Sequence, residues 1–428
     1  MLLLCTAIAC FPAGAQHRFS SRCFSEIRID RDCVYAIEDE WDFTGFGIDN
    51  PQALTLDIYY PLNDTMKERP MVVCLFGGAF FRGNKDRRDM KAWCDSLAHY
   101  GYVAVAINYR LGFNPLGSGT SIGADAGVIR AMYRAAQDCR AAVRFLKSRH
   151  IDYAIDTSQI FLLGNSAGAI TSLNAVLLGN AGRPAETYST GFGANNADLG
   201  CLDCTGSFRR YSFGVKAVVS LWGAVHDVAM FEKTTPFPVL FIHGTLDPIV
   251  PYYKDYALNF TYGKDLNVFL FGSKAMKEEC DRLGWNTVMH SYEGQGHCFY
   301  SCGNINIGEL DYSIFPCDYW WPVFYQVIHF LAENNSWCKP EQLPDLNTVV
   351  DFVINELPEK ANFRLNFHGN LIMNNKLTVY NAIGEPILSQ VLENEKTILA
   401  LDGRPAGIYV VEVKNHMHSK LAKIVVKE

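Results

Sequence analysis

The sequence lacks several features that would each point to a particular class of protein. It has no basic excess: 38 Lys and Arg stand against 45 Asp and Glu, giving a net charge of −7, which argues against a nucleic-acid-binding protein. Beyond its N-terminus it has no apolar run of the roughly 18 residues that a membrane-spanning helix needs. It has no internal repeat or low-complexity tract, and its 49% hydrophobic and 19% charged residues are typical of a globular protein. A fibre, a coiled coil and a largely disordered chain are therefore excluded.

The N-terminus carries a short apolar run. Residues 2–11 are mostly apolar, and residues 13–15, Ala-Gly-Ala, fit the small-residue site at which secretory signal peptides are cleaved. The basic region that usually precedes such a run is missing, and a buried N-terminal strand is the alternative. We predict a signal peptide over residues 1–15 and hence an exported protein.

The chain has 14 cysteines, many for a cytosolic enzyme, and export would permit disulfides. Several lie close together in sequence, namely Cys23 and Cys33, Cys201 and Cys204, Cys298 and Cys302, and Cys317 and Cys338. The sequence does not determine which of them pair. Cys74 and Cys139 fall in apolar patterns and are predicted to be buried free thiols. A zinc site that starts at Cys201 and Cys204 is an alternative, although no second Cys or His pair follows at the usual spacing.

Short apolar runs alternate with helical patterns along most of the chain. Such runs indicate strands buried on both faces, as in a parallel sheet. They are Met71–Phe76, Val103–Ile107, Ile160–Leu163, Val215–Trp222 and Pro238–His243. Met90, Trp93 and Leu97 share one face of a predicted helix that ends before Gly101. A second helical stripe runs from Met132 to Leu146. The alternation predicts an α/β fold with a mostly parallel, doubly wound sheet.

The pattern changes near Pro340. Residues 341–347 are mostly polar, include a proline and indicate a linker. Beyond them, apolar and polar residues alternate with period two, as in Leu377–Tyr380, which a turn signal follows. We predict an α/β domain over residues 16–340 and a small all-β domain over residues 341–428.

The strongest local motif is Gly-Asn-Ser-Ala-Gly at residues 164–168. It lies between the predicted strand Ile160–Leu163 and a helical run over Ala169–Leu178, and this strand–turn–helix context is what a nucleophile elbow requires. Glycines on both sides leave room for a tight turn, and the helix N-terminus directs N–H groups towards a developing oxyanion. We predict that Ser166 is a catalytic nucleophile.

A serine nucleophile needs a base, and the base needs an orienting acid, in the chain order Ser, Asp, His for this arrangement. Asp247 follows one predicted strand, and His297 follows another, Trp285–Tyr292. The carboxyl ends of strands are where open α/β sheets bind ligands, so we predict that these two side chains join Ser166. A turn aspartate and a surface-loop histidine are the alternatives. His243 is interpreted as a buried core histidine, and His226 is the reserve candidate for the base.

A hole for the oxyanion needs a second N–H donor besides that of Ala167. Residues 76–80, Phe-Gly-Gly-Ala-Phe, follow the predicted strand one strand–helix–strand unit before the elbow. Glycines let the backbone approach a substrate closely. We predict that Gly77, Gly78 and Ala79 form this loop, and an ordinary Gly-Gly loop is the alternative.

The sequences at 75–80, 108–111 and 164–168 together resemble the α/β-hydrolase esterases. The resemblance is closest to the branch of hormone-sensitive-lipase-like and bacterial carbohydrate or feruloyl esterases, and it extends over Tyr35–Leu331. It departs at Phe76, where the family usually has His. It implies an α/β-hydrolase fold and an enzyme that needs neither a metal nor an organic cofactor. The residues that it assigns are Ser166 as nucleophile, His297 as base, Asp247 as its partner, and Gly78, Ala79 and Ala167 as oxyanion donors.

The tail resembles a type IX secretion sorting domain, through residues 377–381 with Gly384, residues 401–410 and residues 423–427. Such a domain is a small β-sandwich that directs export through the outer membrane in Bacteroidota. The resemblance implies that residues 341–428 engage the secretion machinery, and that the protein is secreted or held at the surface of a Gram-negative cell. A carbohydrate-binding or other accessory β module is the alternative.

These features predict a secreted serine esterase that acts on short-chain or sugar-linked acyl esters, of the acetyl or feruloyl type. The segment 180–211 lacks the long apolar helix of an interfacial lipase lid, which favours such substrates. A dipeptidyl-peptidase-like serine peptidase of the same fold is one alternative, although about 50 residues before the core strands are too few for its propeller. A non-catalytic surface-binding protein is another.

Overall fold

The structure is a computed structural model. It describes residues 18–39, 51–112, 124–179, 182–189, 197–257, 268–300, 305–306, 309–310, 319–338, 351–356, 362–368, 376–382, 385–392, 396–414 and 419–426. The predicted signal peptide, the predicted linker, Cys302 and Cys317 lie outside these residues.

The chain divides into two compact units. Their ranges are Met1–Pro316 with Phe330–Gln342, and Cys317–His329 with Leu343–Glu428. The domain ends predicted from sequence, at residues 15 and 340, stay predictions.

The strands of the first unit are β1 (Ile27–Asp39), β2 (Pro51–Pro61), β3 (Arg69–Leu75), β4 (Val103–Ile107), β5 (Ile155–Asn165), β6 (Ala217–Leu221), β7 (Ala224–Val225), β8 (Val239–Gly244), β9 (Lys254–Ala257), β10 (Val268–Gly272), β11 (Thr287–Tyr292), β12 (Ile305–Asn306) and β13 (Glu309–Leu310). The described helices of the chain are α1 (Arg88–His99), α2 (Ala124–Ser148), α3 (Ala167–Leu177), α4 (Ser273–Arg282) and α5 (Trp320–Glu333).

An eight-stranded sheet forms the centre of this unit, in the order β1-β2-β4-β3-β5-β6-β8-β11. β1 and β2 are antiparallel to their neighbours, and the six strands from β4 to β11 run parallel. All residues of β3, β4, β6 and β8 are buried, as expected of strands covered on both faces. The predicted mostly parallel sheet is confirmed. Two small antiparallel sheets, β7-β10-β9 and β12-β13, complete the described strands of the unit.

The helices cover both faces of the sheet. The chain moves from β3 to β4 in one direction and from β4 to β5 in the other, so right-handed crossovers place α1 and α2 on opposite faces. α2 packs against α3, which follows β5. The predicted doubly wound arrangement is therefore confirmed.

The predicted apolar face of α1 is also confirmed. Met90, Trp93 and Leu97 are all buried. The helix gives way at Tyr100 to Gly101, whose φ of +100° is costly for any residue with a side chain. One apolar stripe thus packs α1 against the sheet, and one glycine lets the chain turn from α1 towards β4.

The second unit contains a separate all-β fold. Its strands are β14 (Asp351–Glu356), β15 (Asn362–His368), β16 (Lys376–Tyr380), β17 (Pro386–Val391), β18 (Lys396–Ala400), β19 (Gly407–Lys414) and β20 (Ser419–Val426). They form two antiparallel sheets, β14-β15-β18 and β17-β16-β19-β20. Alternate residues point inward, among them Leu377, Val379, Val411 and Val413, and build one apolar core. The predicted all-β tail is confirmed.

No helix within the described ranges is long and apolar enough to cross a membrane.

Candidate active site

Three predicted site residues lie at the carboxyl edge of the parallel sheet. Ser166 follows β5, Asp247 lies three residues after β8, and His297 lies five residues after β11. β3 and β5, which are neighbours, lie where the winding direction of the sheet reverses. Open α/β sheets bind ligands at such switch points.

Ser166 occupies a strained turn between β5 and α3. Its φ is +53° and its ψ is −122°, a backbone conformation that side-chain-bearing residues rarely adopt. A Cβ on Gly164 would lie 2.2 Å from the carbonyl oxygen of Gly168, and a Cβ on Gly168 would lie 2.1 Å from that of Leu75. Both glycines are therefore required by the close approach of β5, α3 and β3, and the turn lifts the serine out of the sheet edge.

The structure brings Ser166, His297 and Asp247 into one hydrogen-bonded chain. His297 Nε2 lies 2.9 Å from Ser166 Oγ, and His297 Nδ1 lies 2.7 Å from Asp247 Oδ2. All three side chains are buried or nearly so. The arrangement can carry a proton from the serine hydroxyl to an imidazole whose far nitrogen is held by a carboxylate.

Asp247 is fixed by more than its bond to His297. Its Oδ1 accepts hydrogen bonds from the backbone N–H groups of Ile249 and Val250, at 2.8 and 3.0 Å. Burial raises the pKa of this carboxyl, but the charge of His297 and hydrogen bonds from His243 and His297 outweigh burial and hold the pKa below its usual value. The carboxylate is therefore ionised across the neutral range.

His297 is packed as well as hydrogen-bonded. The Trp222 ring meets the imidazole edge-on, with ring centroids 6.2 Å apart. Burial lowers the pKa of His297, but the charge of Asp247, with contributions from Cys298 and the hydrogen bonds, outweighs it and raises the pKa above the ordinary value. The carboxylate thus makes the imidazole a stronger base.

The predicted oxyanion loop follows β3 and is strained along its length. Gly78, Ala79 and Phe80 all have positive φ, of +136°, +55° and +60°. Such a run is costly at the two non-glycine positions and is typical of a functional site. Two anchors hold its carbonyl groups: the Tyr109 hydroxyl donates to the oxygen of Phe76 at 2.6 Å, and Arg87 Nη1 donates to the oxygen of Gly77 at 2.8 Å.

The N–H groups of this region remain available. Within the described ranges, no backbone carbonyl accepts a hydrogen bond from the N–H groups of Gly78 or Ala79. Ala167 is the first residue of α3, where a helix leaves its N–H groups without an intrahelical acceptor. A Cβ on Gly77 would lie 2.9 Å from the Cβ of Ser166, so the loop lies directly against the elbow.

Phe76 replaces the histidine that the resemblance leads one to expect. Its ring stacks on Tyr109, with centroids 4.3 Å apart and planes 11° apart. This stacking, together with the Tyr109 hydrogen bond to the Phe76 carbonyl, anchors the start of the loop. An aromatic pair thus fixes the loop where the family usually has a polar side chain.

A cavity of about 410 Å³ borders the same loop. Phe76 and Phe81 line it from the loop, and Asn108 and Tyr109 line it from the end of β4. Ser166 is not among its lining residues. The cavity therefore does not hold the reacting bond.

Sequence reasoning understated the part of His243. It is a buried histidine, as predicted, but its Nε2 lies 3.1 Å from Asp247 Oδ2 and its Nδ1 lies 2.8 Å from the hydroxyl of Ser273. The spacing of four residues between His243 and Asp247 was the available signal. The reserve candidate His226 follows β7, and the side chain that reaches Ser166 is that of His297.

The cysteines divide as follows. Cys201 and Cys204 form a disulfide, so the structure contains a bridge where a zinc site was the alternative. Cys74 and Cys139 are buried free thiols, as predicted, and Cys23 and Cys33 are unpaired. In the part of the chain that the structure describes, no group of three His, Cys, Asp or Glu side chains could hold a metal ion.

Comparison with known families agrees with this architecture. Residues 56–236 match the family model BD-FAE, an esterase-type α/β-hydrolase domain, and residues 357–427 match the model described as a secretion system C-terminal sorting domain. The chain contains an esterase-type α/β-hydrolase domain and a C-terminal sorting domain. The first match includes Ser166 and the oxyanion loop and ends before Asp247 and His297. The sorting domain indicates type IX secretion, so the esterase acts at the cell surface or outside the cell.

No curated protein sequence matches the chain. Among solved structures, esterase 2 of Thermogutta terrifontis phosphorylated by paraoxon is 18% identical, and the alignment covers 74% of this chain and 97% of that one, with a TM-score of 0.42. A truncated carbohydrate esterase from gut microbiota is 19% identical over 71% of this chain and 97% of its own, with a TM-score of 0.38. With TM-scores below 0.5, these likenesses add nothing to the assignment, which rests on the family models.

Proposed function

We propose that this esterase cleaves carboxylic esters by acyl transfer to Ser166. The observation that carries the proposal is the continuous hydrogen-bonded chain from Ser166 Oγ through His297 to Asp247. A strained elbow and an adjacent loop with available N–H groups support it, because acyl transfer needs both a positioned nucleophile and donors for the oxyanion.

In the proposed reaction, Ser166 Oγ attacks the ester carbonyl carbon while His297 Nε2 takes its proton. The N–H groups of Ala167, Gly78 and Ala79 receive the oxyanion of the tetrahedral intermediate. His297 then returns the proton to the departing alcohol, and a water attacks the acyl-enzyme by the same steps in reverse. Asp247 stays ionised throughout and stabilises the imidazolium that forms twice in each cycle.

We propose short-chain or sugar-linked acyl esters, of the acetyl or feruloyl type, as the substrates. In the described parts of the segment after the elbow helix, residues 182–189 and 197–211, the longest helix is the three-residue 3-10 turn Ala185–Thr187. A long apolar helix, such as an interfacial lipase uses as a lid, is not found in those parts. Export also supports substrates that are met outside the cell.

The experiment is hydrolysis of p-nitrophenyl esters of increasing acyl length by the full chain, beside the Ser166→Ala variant. We expect activity on the acetate to the butyrate that declines for long chains and is lost in the variant. Activity that rises towards long acyl chains would contradict the substrate class. Cleavage of amino-acyl p-nitroanilides with no ester hydrolysis would favour the peptidase alternative.

A further inference from the structure

A buried carboxylate that takes no part in the proposed chemistry lies behind the active site. Asp89 belongs to the first turn of α1, and its side chain is fully buried. A buried charge is costly unless it is paired and hydrogen-bonded, so its partners indicate what it holds in place.

The partners of Asp89 come from three separate segments. Arg87, just before α1, approaches with Nε at 3.2 Å from Oδ1 and Nη2 at 3.3 Å from Oδ2. The amide of Asn165 donates to Oδ2 at 2.7 Å, and the hydroxyl of Tyr300 lies 3.4 Å from the same oxygen. The Asn165 amide also donates to the Tyr300 hydroxyl at 2.7 Å. The four side chains thus form one hydrogen-bonded group.

Each partner adjoins a different part of the candidate active site. Asn165 immediately precedes the nucleophile Ser166. Tyr300 lies three residues after His297. Arg87 donates through its third nitrogen to the carbonyl of Gly77, at 2.8 Å, in the oxyanion loop. One carboxylate therefore connects the elbow, the histidine segment and the oxyanion loop.

We propose that Asp89, with Arg87, Asn165 and Tyr300, is a positioning network that sets the distance between the oxyanion loop, the serine and the histidine segment. The proposal deepens the proposed function, because it presumes that Ser166 is the nucleophile. None of the four groups touches the reacting atoms, so each is a positioning residue.

The packing around the network supports a rigid setting. The Tyr300 ring meets Trp222 at 4.8 Å and Trp93 at 6.3 Å between centroids, and Trp222 in turn packs on His297. A shift of Tyr300 would therefore displace the Trp222 ring, which in turn contacts the imidazole of His297. Loss of the Asp89 charge would remove the ion pair that orients the Arg87 guanidinium and so weaken its hydrogen bond to the Gly77 carbonyl.

The first test is Asp89→Asn, which keeps the side-chain shape and removes the charge. Because the geometry of the reacting groups is displaced and the binding of the ester is not, we expect kcat to fall about 100-fold while KM changes by less than about threefold. Tyr300→Phe keeps the ring packing and removes the hydroxyl's hydrogen bonds with Asp89 and Asn165, and we expect about a tenfold loss in kcat. The rate of covalent reaction with a fluorophosphonate, which also needs an aligned serine and oxyanion loop, should fall in parallel.

Matched controls come from the same unit. Asp138 is an equally buried carboxylate on α2, paired with Arg110 at 2.7 Å, and Tyr102 is a buried tyrosine whose hydroxyl donates to the carbonyl of Phe19 at 3.3 Å. We expect Asp138→Asn and Tyr102→Phe to lower thermal stability with kcat of the folded protein unchanged. In addition, the Asp89→Asn and Tyr300→Phe effects should be non-additive in the double variant, whereas Asp89→Asn and Tyr102→Phe should add.

The outcomes separate this inference from the proposed function. Unchanged kcat in Tyr300→Phe, or equal losses in Asp89→Asn and Asp138→Asn, would overturn the network while an inactive Ser166→Ala leaves the serine mechanism standing. Activity retained by Ser166→Ala would overturn the proposed function itself. If Asp89→Asn does not fold, Tyr300→Phe and its double variant with Tyr102→Phe decide the question.

Discussion

The two units of the molecule differ in two destabilising features, namely buried charged side chains and strained backbone conformations. In the first unit, buried charges such as Asp89 and Asp138 lie in the interior, and non-glycine residues with positive φ occur at several places, among them Ala79, Phe80 and Ser166. Among the described residues of the second unit from Asp351 onwards, the core is apolar, Thr378 is the one buried polar side chain, and Gly403 is the one residue with positive φ.

The difference reflects two roles: the first unit contains the esterase domain, and the second contains the domain that directs export. Strain and buried charge reduce stability, and we infer that at Ser166, Ala79, Phe80 and Asp89 they persist because they hold reacting groups in place. The second unit needs only to fold and to be recognised, and alternating apolar residues on two antiparallel sheets suffice for that. Substitutions at the strained positions should therefore affect catalysis, and substitutions in the tail should not.

The largest effect is expected from Ser166→Ala. Because the proposed serine, histidine and aspartate would act as a unit, we expect kcat on p-nitrophenyl butyrate to fall by roughly 10⁴- to 10⁶-fold. Ser158→Ala, at a surface position of β5, should retain full activity. The Ser166→Ala protein should still be exported, which would show that export does not depend on catalysis. An active Ser166→Ala variant would contradict the assignment of catalysis to the strained elbow of the first unit.

Asp247→Asn should have the next largest effect. The imidazole of His297 must be neutral to accept a proton, and Asp247 raises its pKa, so kcat/KM of the wild type should rise with pH through that pKa. Removal of the charge should move this acid limb to lower pH and lower kcat by about 10⁴-fold. Asp138→Asn, a buried carboxylate away from His297, should leave the limb in place. An acid limb at the same pH in Asp247→Asn would contradict the assigned pair.

Gly168→Ala compares the packing of the two units directly. The added methyl would lie 2.1 Å from the Leu75 carbonyl, so α3 must move away from β3, and we expect a loss of about 3 kcal/mol in the free energy of unfolding. At Gly407 in the tail, nothing lies within 4 Å of the added methyl, and Gly407→Ala should change stability by less than about 0.5 kcal/mol. Thermal unfolding of the two variants measures these changes in stability. Equal decreases in Tm for Gly168→Ala and Gly407→Ala would contradict the expected difference between the two units.

A smaller effect is expected from loss of the Cys201–Cys204 disulfide. The bridge closes a very short loop, so replacement of both residues by serine should cost the first unit about 2 kcal/mol or less. All 14 cysteines precede residue 341, so a reducing agent should leave the unfolding of the tail unchanged. Replacement of the unpaired Cys23 and Cys33 by serine is the control. A reductant-sensitive transition in the isolated tail would contradict this.

The smallest effect on catalysis is expected from deletion of residues 341–428. If the tail serves only as an export signal, kcat should stay within about twofold of the full chain, because the proposed catalytic residues all belong to the first unit. Export to the cell surface or medium should be lost. Activity assays and cell fractionation measure the two results, and a truncated protein that fails to fold would show that the tail is structural.

Much of the fold follows from local sequence. Runs such as Val103–Ile107 are apolar throughout because their strands are covered on both faces, and the alternation at Leu377–Tyr380 reflects a sheet with one buried face. The motif at residues 164–168 predicts its own turn, and Gly164 is required by a contact within that strand–turn–helix unit. Gly168, in contrast, is required by its approach to Leu75 of the neighbouring strand β3.

The remaining features depend on contacts between distant segments. Asp89 and Tyr300 are 211 residues apart, and no local pattern marks either as a partner of Asn165. The prediction that His243 is buried is confirmed. Its contact with Asp247, however, depends on the path that the backbone takes after β8. The stacking of Phe76 on Tyr109, which anchors the oxyanion loop, likewise follows from the pairing of β3 with β4.

The central claim, that Ser166 carries the acyl group, is tested most directly by trapping the acyl-enzyme. The full chain is mixed with p-nitrophenyl butyrate, quenched in acid within the first turnover and analysed by intact-mass and peptide mass spectrometry. We expect one butyryl adduct on Ser166 in the wild type and none in Ser166→Ala. An adduct on another residue, or a burst of p-nitrophenol from the wild type with no butyryl group on Ser166, would contradict it.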